Sequence, residues 1–319
     1  MSDFSIVFMG TPEFAVEILK KLHLEGVAIK AVVTVPDKPS GRGQKINQSA
    51  VKQFAVEHDL YVLQPPNLKD PSFVTELKAL NADLFVVVAF RMLPEAVWAM
   101  PPKGTINLHA SLLPNYRGAA PINWAIINGE KESGVTTFFI EKEIDTGEII
   151  ERESVSIGEN ETVGELYARL MTLGADVMHS TVQKISSGNV TSIDQSTLLN
   201  ESHKPAPKIF KQDCEIDFNK NVQAVHDFCR GLTPYPAAWC TLYNKEKDES
   251  KTFKIHKTEK TDLVAPNNNQ LSKDADGILI PTSDYYLRVL EIQPEGKRKM
   301  TFKDFLAGNT VENLTTKGV

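Results

Sequence analysis

Apolar residues gather in short blocks along the first half of the chain, and between the blocks they recur at helical spacing. Ser5–Met9 is apolar and partly β-branched and predicts a strand. Gly10-Thr11-Pro12 leads into Glu13–Leu22, an amphipathic run that predicts a helix, with Pro12 suited to its first turn and Thr11 to its cap. Ala28–Val35 reads as a second strand and completes a β-α-β unit. Lys52–His58 and Pro71–Leu80 read as helices and Tyr61–Leu63 as a strand. Asp83–Phe90 is almost continuously apolar, the mark of a strand buried on both faces. Strands at Thr105–Leu108 and Val135–Ile140 and helices at Ile122–Asn128 and Thr162–Ser186 extend the series. This alternation predicts an open α/β parallel sheet, whose ligand crevice lies beyond the carboxyl ends of the strands.

After the long helix the pattern changes. Residues 190–208 are rich in Ser, Asn, Thr and Pro and read as a linker between a domain at 1–189 and another at 209–319. Beyond the linker a single helix, Gln223–Arg230, precedes short strand candidates at Ala238–Tyr243, Thr252–His256, Gly277–Pro281 and Tyr286–Ile292, with the charged runs between them read as turns. Several short strands after a lone helix suggest a small β-barrel.

Composition narrows the class. The 319 residues are 41% hydrophobic and 24% charged, as in an ordinary globular protein of two domains. No apolar run approaches the ~18–20 residues of a membrane span, and Ile6–Met9 is too short for a signal peptide, so a cytoplasmic enzyme without membrane contact is expected. Three cysteines, Cys214, Cys229 and Cys240, with no C-x-x-C pair, argue against a disulfide framework and a zinc ribbon. The net charge of −6 is uneven: residues 1–200 carry −7 and residues 201–319 carry +1. An acidic body speaks against general nucleic-acid affinity and leaves room only for local cationic clusters.

The candidate chemistry lies where Thr105–His109 runs into Ser111-Leu112-Leu113-Pro114-Asn115-Tyr116-Arg117-Gly118. Side chains alternate across a strand, so Asn107 and His109 share one face. An amide donor beside an imidazole, with the Asp145 carboxylate of Glu143-Ile144-Asp145-Thr146-Gly147 to orient the ring, suits stabilisation of an oxyanion in acyl transfer. Taken singly, His109 reads equally as a core histidine and Asp145 as a turn former. Gly10-Thr11-Pro12-Glu13-Phe14-Ala15 is not G-x-G-x-x-G, and Pro12 lacks a donor, which disfavours a nicotinamide or flavin dinucleotide. His226 and Cys229 share a helix face but lack two further ligands for a metal, so no metal is expected. Pro36–Gln48 is too polar and Gly-rich for the core; it reads either as a solvent loop or as a flexible arm carrying Arg42 and Lys45 to a polyanion.

Several strings together resemble the methionyl-tRNA formyltransferase family of 10-formyltetrahydrofolate-dependent enzymes, over nearly the whole chain. They are Val7–Phe14, Gly41-Arg42-Gly43, Asn107–Pro121, Asp145-Thr146-Gly147, Gly231–Pro236 with Ala238-Trp239, and Gln293–Lys297. The resemblance implies a Rossmann-like formyltransferase domain followed by a small OB-type barrel. It implies transfer of a formyl group from 10-formyltetrahydrofolate to initiator methionyl-tRNA by a monomer, with Asn107, His109 and Asp145 as the catalytic residues. It assigns Ser111, Leu112, Leu113 and Pro114 to tetrahydrofolate, and, together with the charge map, Arg42, Lys45, Lys204, Lys208, Lys211 and the run Lys297-Arg298-Lys299 to tRNA. The family commonly has an Ala-Tyr-Gly-type loop after the central strand, where this chain has Ala89-Phe90-Arg91-Met92-Leu93-Pro94. The rival readings are a formyltransferase acting on an amino-sugar nucleotide or glycinamide ribonucleotide, a formyltetrahydrofolate hydrolase, and a non-catalytic RNA-binding module.

Overall fold

The computed structural model describes residues 4–40, 45–199, 203–266 and 268–316, and over 39, 40, 45 and 46 the backbone alone. In chain order the first elements are β1 (Ser5–Gly10), α1 (Glu13–Leu24), β2 (Ala28–Val33), β3 (Lys38–Ser40), β4 (Lys45–Asn47), α2 (Ala50–Glu57), β5 (Val62–Leu63), α3 (Pro71–Ala79), β6 (Leu84–Val88) and α4 (Glu95–Trp98). Next come β7 (Thr105–His109), α5 (Pro121–Ile127), β8 (Glu132–Phe139), β9 (Ile149–Ser156) and α6 (Val163–Ser186). Two compact units emerge. One comprises 1–118, 134–155 and 168–205; the other comprises 119–133, 156–167 and 206–319.

The first unit is built on a sheet of order β5-β2-β1-β6-β7-β8-β9. β5, β2, β1, β6 and β7 are parallel, whereas β8 runs antiparallel to β7. β1 and β6 are buried throughout, and Val7, Met9, Phe85 and Val87 pack with Phe73, Leu77 and Val97 on one face. The strand order reverses between β1 and β6, which opens a crevice at their carboxyl ends. There Gly10 is required by close approach, since a Cβ on it would lie 2.6 Å from the Cβ of Ala15. One expectation is corrected here: Pro12, not Thr11, is the N-cap of α1, and no side chain caps that helix. Proline at this position has no N–H to leave unpaired, and its carbonyl already accepts from Ala15 N and Val16 N.

The arm reading is also refined. β3 and β4 pair antiparallel, and the stem below them is pinned by a Thr34–Ser49 hydroxyl hydrogen bond of 2.8 Å and a Lys52 Nζ–Asp37 Oδ2 contact of 2.6 Å. Arg42 lies outside the described residues, and of Lys45 only the backbone is described. β9 carries Glu151, Arg152 and Glu153, charges that protect an edge strand and that hid it from an apolar pattern. The polar residues 190–199 and 203–205 belong to the first unit: Ile193 pairs with Ile149, and a 3-10 helix at Gln195–Leu198 is capped by Asp194.

The second unit adds α7 (Val222–Gly231), β10 (Ala238–Asn244), β11 (Glu249–Val264), β12 (Ser272–Lys273), β13 (Ile278–Pro281), β14 (Tyr285–Pro294), β15 (Met300–Thr301), α8 (Phe302–Leu306) and β16 (Leu314–Thr316). The antiparallel sheet runs β12-β13-β14-β11-β10-β16. Its two edges meet where Gln270 bridges Thr315 and Leu271 N donates to Leu314 O. Joining the edges curls the sheet into an OB-type barrel and removes exposed pairing groups. The charged run Lys257–Lys260, read from sequence as a turn, lies inside the long β11: buried Phe253, Ile255 and Thr258 hold its inner face, and shifts in register bend it. α5 packs on α7, with Asn123 Nδ2 donating to Gly231 O at 2.8 Å. Gly231 permits the approach, because a Cβ there would lie 2.6 Å from Ile127.

Candidate active site

β7 places the candidate side chains. Its neighbours in register are Val87 and Phe138 beside Asn107, Val88 and Thr137 beside Leu108, and Thr136 beside His109. Leu108 points to the face covered by α6, where a Cβ on Gly174 would come within 2.7 Å of it. Asn107 and His109 therefore emerge on the opposite face, at the carboxyl end of the parallel strands. The half-buried Asn107 amide makes no hydrogen bond among the described residues, so its N–H donors remain available to a ligand.

The segment Ser111–Gly118 folds back over this face. The Ser111 hydroxyl donates to Asn115 O at 2.7 Å, and Leu113 N donates to the buried Thr136 hydroxyl at 3.1 Å. Leu113 packs with Phe138 and Ile149, and its carbonyl accepts from Arg152 Nη1 at 2.9 Å. Ser111, Leu113 and Pro114 are thus turned inward, and Leu112 is the one of the four that stays partly accessible. Tyr116 adopts a left-handed backbone (φ 63°), which presents its carbonyl to His109 Nε2 at 2.8 Å. A carbonyl can only accept, so Nε2 carries the proton and Nδ1 is the ring nitrogen left for chemistry.

Nδ1 faces Asp145, 3.8 Å from Oδ2, with both side chains largely buried. The separation exceeds a direct hydrogen bond, so the carboxylate acts on the ring through its charge. Asp145 too is left-handed (φ 56°), and Gly118 N donates to its Oδ2 at 3.0 Å. Two non-glycine residues in this backbone region, in one small site, mark strain held by the surrounding structure. Asn107, His109 and Asp145, separated in sequence by up to 38 positions, are accordingly brought to one place. The loop after β6 turns away from a bare surface role: Arg91 donates to the carbonyls of Pro65 and Pro66, and Ala89 is left-handed (φ 46°).

The polar signal of the linker concealed a buried group. Gln195 is 1% exposed, receives both Nε (3.1 Å) and Nη2 (2.7 Å) of Arg117, and donates to Asp145 O (3.1 Å) and Gly147 O (2.7 Å). Nothing in composition distinguishes it from neighbouring Ser and Thr; only its placement does.

The cationic candidates divide between the units. In the first, Lys204 O accepts from Tyr116 N at 2.6 Å. In the second, Lys208 and Lys211 line a cavity of about 630 Å³ together with Lys254, Trp239 and Tyr235. Tyr235 is 81% exposed, and Lys208 lies over the Phe210 ring. Lys254 was missed by sequence reading, though its alternation with buried Phe253 and Ile255 puts it on the outer face. Lys297 and Arg298 are exposed, and Lys299 pairs with Glu291 at 2.7 Å. His226 and Cys229 are buried, and among the described residues no group of His, Cys, Asp and Glu is placed to hold a metal. No helix among them is long and apolar enough to cross a membrane.

Comparison with known proteins identifies the family. Residues 4–182 match the formyl transferase family and residues 208–310 match the formyl transferase C-terminal domain. A methionyl-tRNA formyltransferase from Azobacteroides pseudotrichonymphae is 51% identical, covering 95% of this chain and 95% of its own. One from Bacteroides fragilis is 48% identical, covering 96% and 95%. Among solved structures, an N-formyltransferase from Helicobacter canadensis in complex with folinic acid and dTDP-3-aminofucose superposes with a TM-score of 0.65 at 21% identity, covering 93% of this chain and all of that one. A sugar 3N-formyl transferase does so with a TM-score of 0.64 at 20% identity, with the same coverage. At that identity these two speak for the fold alone. With both halves matched and relatives about half identical along nearly their full length, the chain belongs to the formyl transferase family.

Proposed function

We propose that this chain transfers the formyl group of 10-formyltetrahydrofolate to the free α-amino group of methionyl initiator tRNA. The observation that carries the chemistry is the His109 ring fixed between the Tyr116 carbonyl and Asp145, beside an Asn107 amide without a partner among the described residues at the strand ends. The α-amine, neutral in a useful fraction because such groups titrate near ~7–8, adds to the formyl carbon. The Asn107 N–H donates to the formyl oxygen as charge builds on it, and donors of this kind act most strongly in a site closed to water. His109, held by Tyr116 through Nε2, takes up the amine proton at Nδ1 and returns it to the departing folate nitrogen, so the C–N bond formed replaces the C–N bond broken. Asp145 orients the ring and steadies it while it carries that proton.

The folate site draws on Ser111, Leu112, Leu113 and Pro114 in two ways. Leu112 offers apolar contact, and the other three shape the turn that faces the donor. For tRNA, Lys208, Lys211 and Lys254 with Trp239 and Tyr235 form a cationic, aromatic concavity suited to a phosphate backbone and unstacked bases. Arg42, Lys45 and Lys204 belong to the same reading from sequence. Incubation with charged initiator tRNA and 10-formyltetrahydrofolate is expected to yield formylmethionyl-tRNA. Asn107→Ala and His109→Ala should each lower the single-turnover rate about 10²–10³-fold with little change in KM. Near-normal rates in either variant would refute the assignment.

A further inference from the structure

We propose that Gln195 is a positioning residue that sets the geometry between Asp145 and His109, an inference that rests on the catalytic reading of those two groups. Its carboxamide is wholly used. Both N–H groups donate to main-chain carbonyls, of Asp145 and Gly147, and its oxygen accepts twice from Arg117. The orientation of the amide is unambiguous, because carbonyls only accept and a guanidinium only donates.

Each partner sits one step from the site. Asp145 is the residue whose carbonyl Gln195 holds, and the same residue's carboxylate receives Gly118 N–H and faces His109 Nδ1. Arg117 lies between the peptide whose carbonyl accepts from His109 and the glycine whose N–H binds Asp145. One buried amide therefore ties the turn bearing the carboxylate to the loop bearing the imidazole's partner. The tie is anchored from behind by the Ile193–Ile149 bridge and the Asp194 cap. The left-handed backbones of Asp145 and Tyr116 need such restraint, since each relaxes toward ordinary φ when released.

The test compares Gln195→Met, which keeps length and volume without polar groups, with Gln195→Glu, which can still pair with Arg117 but cannot donate to the two carbonyls. Displacement of a catalytic pair by a fraction of an ångström to an ångström predicts a fall in single-turnover kcat of about 10–100-fold in both variants, with KM for folate and tRNA within about threefold. In an Asp145→Asn background the same changes should cost no more than about twofold, because their effect runs through the carboxylate. Thermal melts identify any variant that fails to fold, and if Gln195→Met does, Gln195→Glu carries the test. Equal loss in both backgrounds, a rise in KM without loss of kcat, or a normal rate in Gln195→Glu would overturn the proposal. If Asp145→Asn itself runs at the normal rate, the catalytic reading fails instead; if it is slow while Gln195→Met is normal, only the role of Gln195 falls.

Discussion

His226 should make the stability of the second unit depend on acid. It lies on α7, 1% exposed, with Nδ1 2.9 Å from Thr258 Oγ1 and Nε2 buried without a partner among the described residues. Burial disfavours the imidazolium, and Arg230 adds repulsion; Asp227 opposes this, Lys260 adds to it, and the nearby Glu159 carbonyl helps weakly without a hydrogen bond. The ring titrates at about 4 in place of 6.5. Between those values the unfolded chain binds the proton and the folded one does not. Stability is therefore full above pH 6.5, declines as pH falls toward 4, and levels off below. The whole effect is about 3 kcal/mol, of which about 2 kcal/mol has been lost at pH 5. The assay is urea unfolding at pH 8 and pH 5, read by Trp124 and Trp239, which share this unit, in a Trp98→Phe background. His226→Gln keeps a partner for Thr258 and removes the titration, so its loss of stability between the two pH values should be smaller by about 2 kcal/mol. Parallel losses in the two proteins would refute the reasoning.

Two further outcomes follow from the second unit. Cys214, Cys229 and Cys240 are each no more than 2% exposed, and burial pushes all three thiols up, that of Cys240 to about 12. The native protein should leave them unmodified by a thiol reagent at pH 8 and expose three reactive groups on unfolding; modification of the native chain would contradict that burial. Lys208 and Lys211 line the cationic cavity, so replacing both with Ala should flatten the plot of log affinity for tRNA against log salt by about 0.9 per lost phosphate contact. An unchanged slope would remove them from the interface.

The first sheet was legible because its strands declare themselves. Leu84–Val88 is buried on both faces and apolar throughout, and Ser5–Gly10 likewise, so pattern and structure coincide within a residue or two. The strands that escaped notice belong to edges and barrels, where one face meets water. β9 holds Glu151, Arg152 and Glu153, and the outer face of β11 holds Lys254, Lys257 and Glu259, so charge conceals the alternation that burial imposes on the inner face. Helix ends moved for equally local reasons: α2 begins two residues before the expected start because Ser49 accepts from Lys52 N and caps it.

The site divides along the same physical line. Asn107 and His109 sit two apart on one strand, so their convergence is a matter of local geometry and could be read from spacing. Asp145 joins them only through a turn of left-handed backbone that spacing cannot foresee, and the structure places its carboxylate 3.8 Å from the ring. Ser111 and Leu113 show the opposite lesson. Both lie in the string that carries the resemblance, yet their side chains are spent inside the fold, on Asn115 O and on Phe138 with Ile149. A short polar and apolar string can thus be fixed by the shape of its turn as firmly as by a ligand. Gln195 completes the point: a residue in a stretch of ordinary polarity holds four hydrogen bonds behind the carboxylate, because a strained turn demands an anchor wherever the chain can supply one. The reach of sequence reading therefore ends where a functional geometry is stabilised by contacts made through the backbone, since carbonyls and N–H groups leave no letter in the sequence.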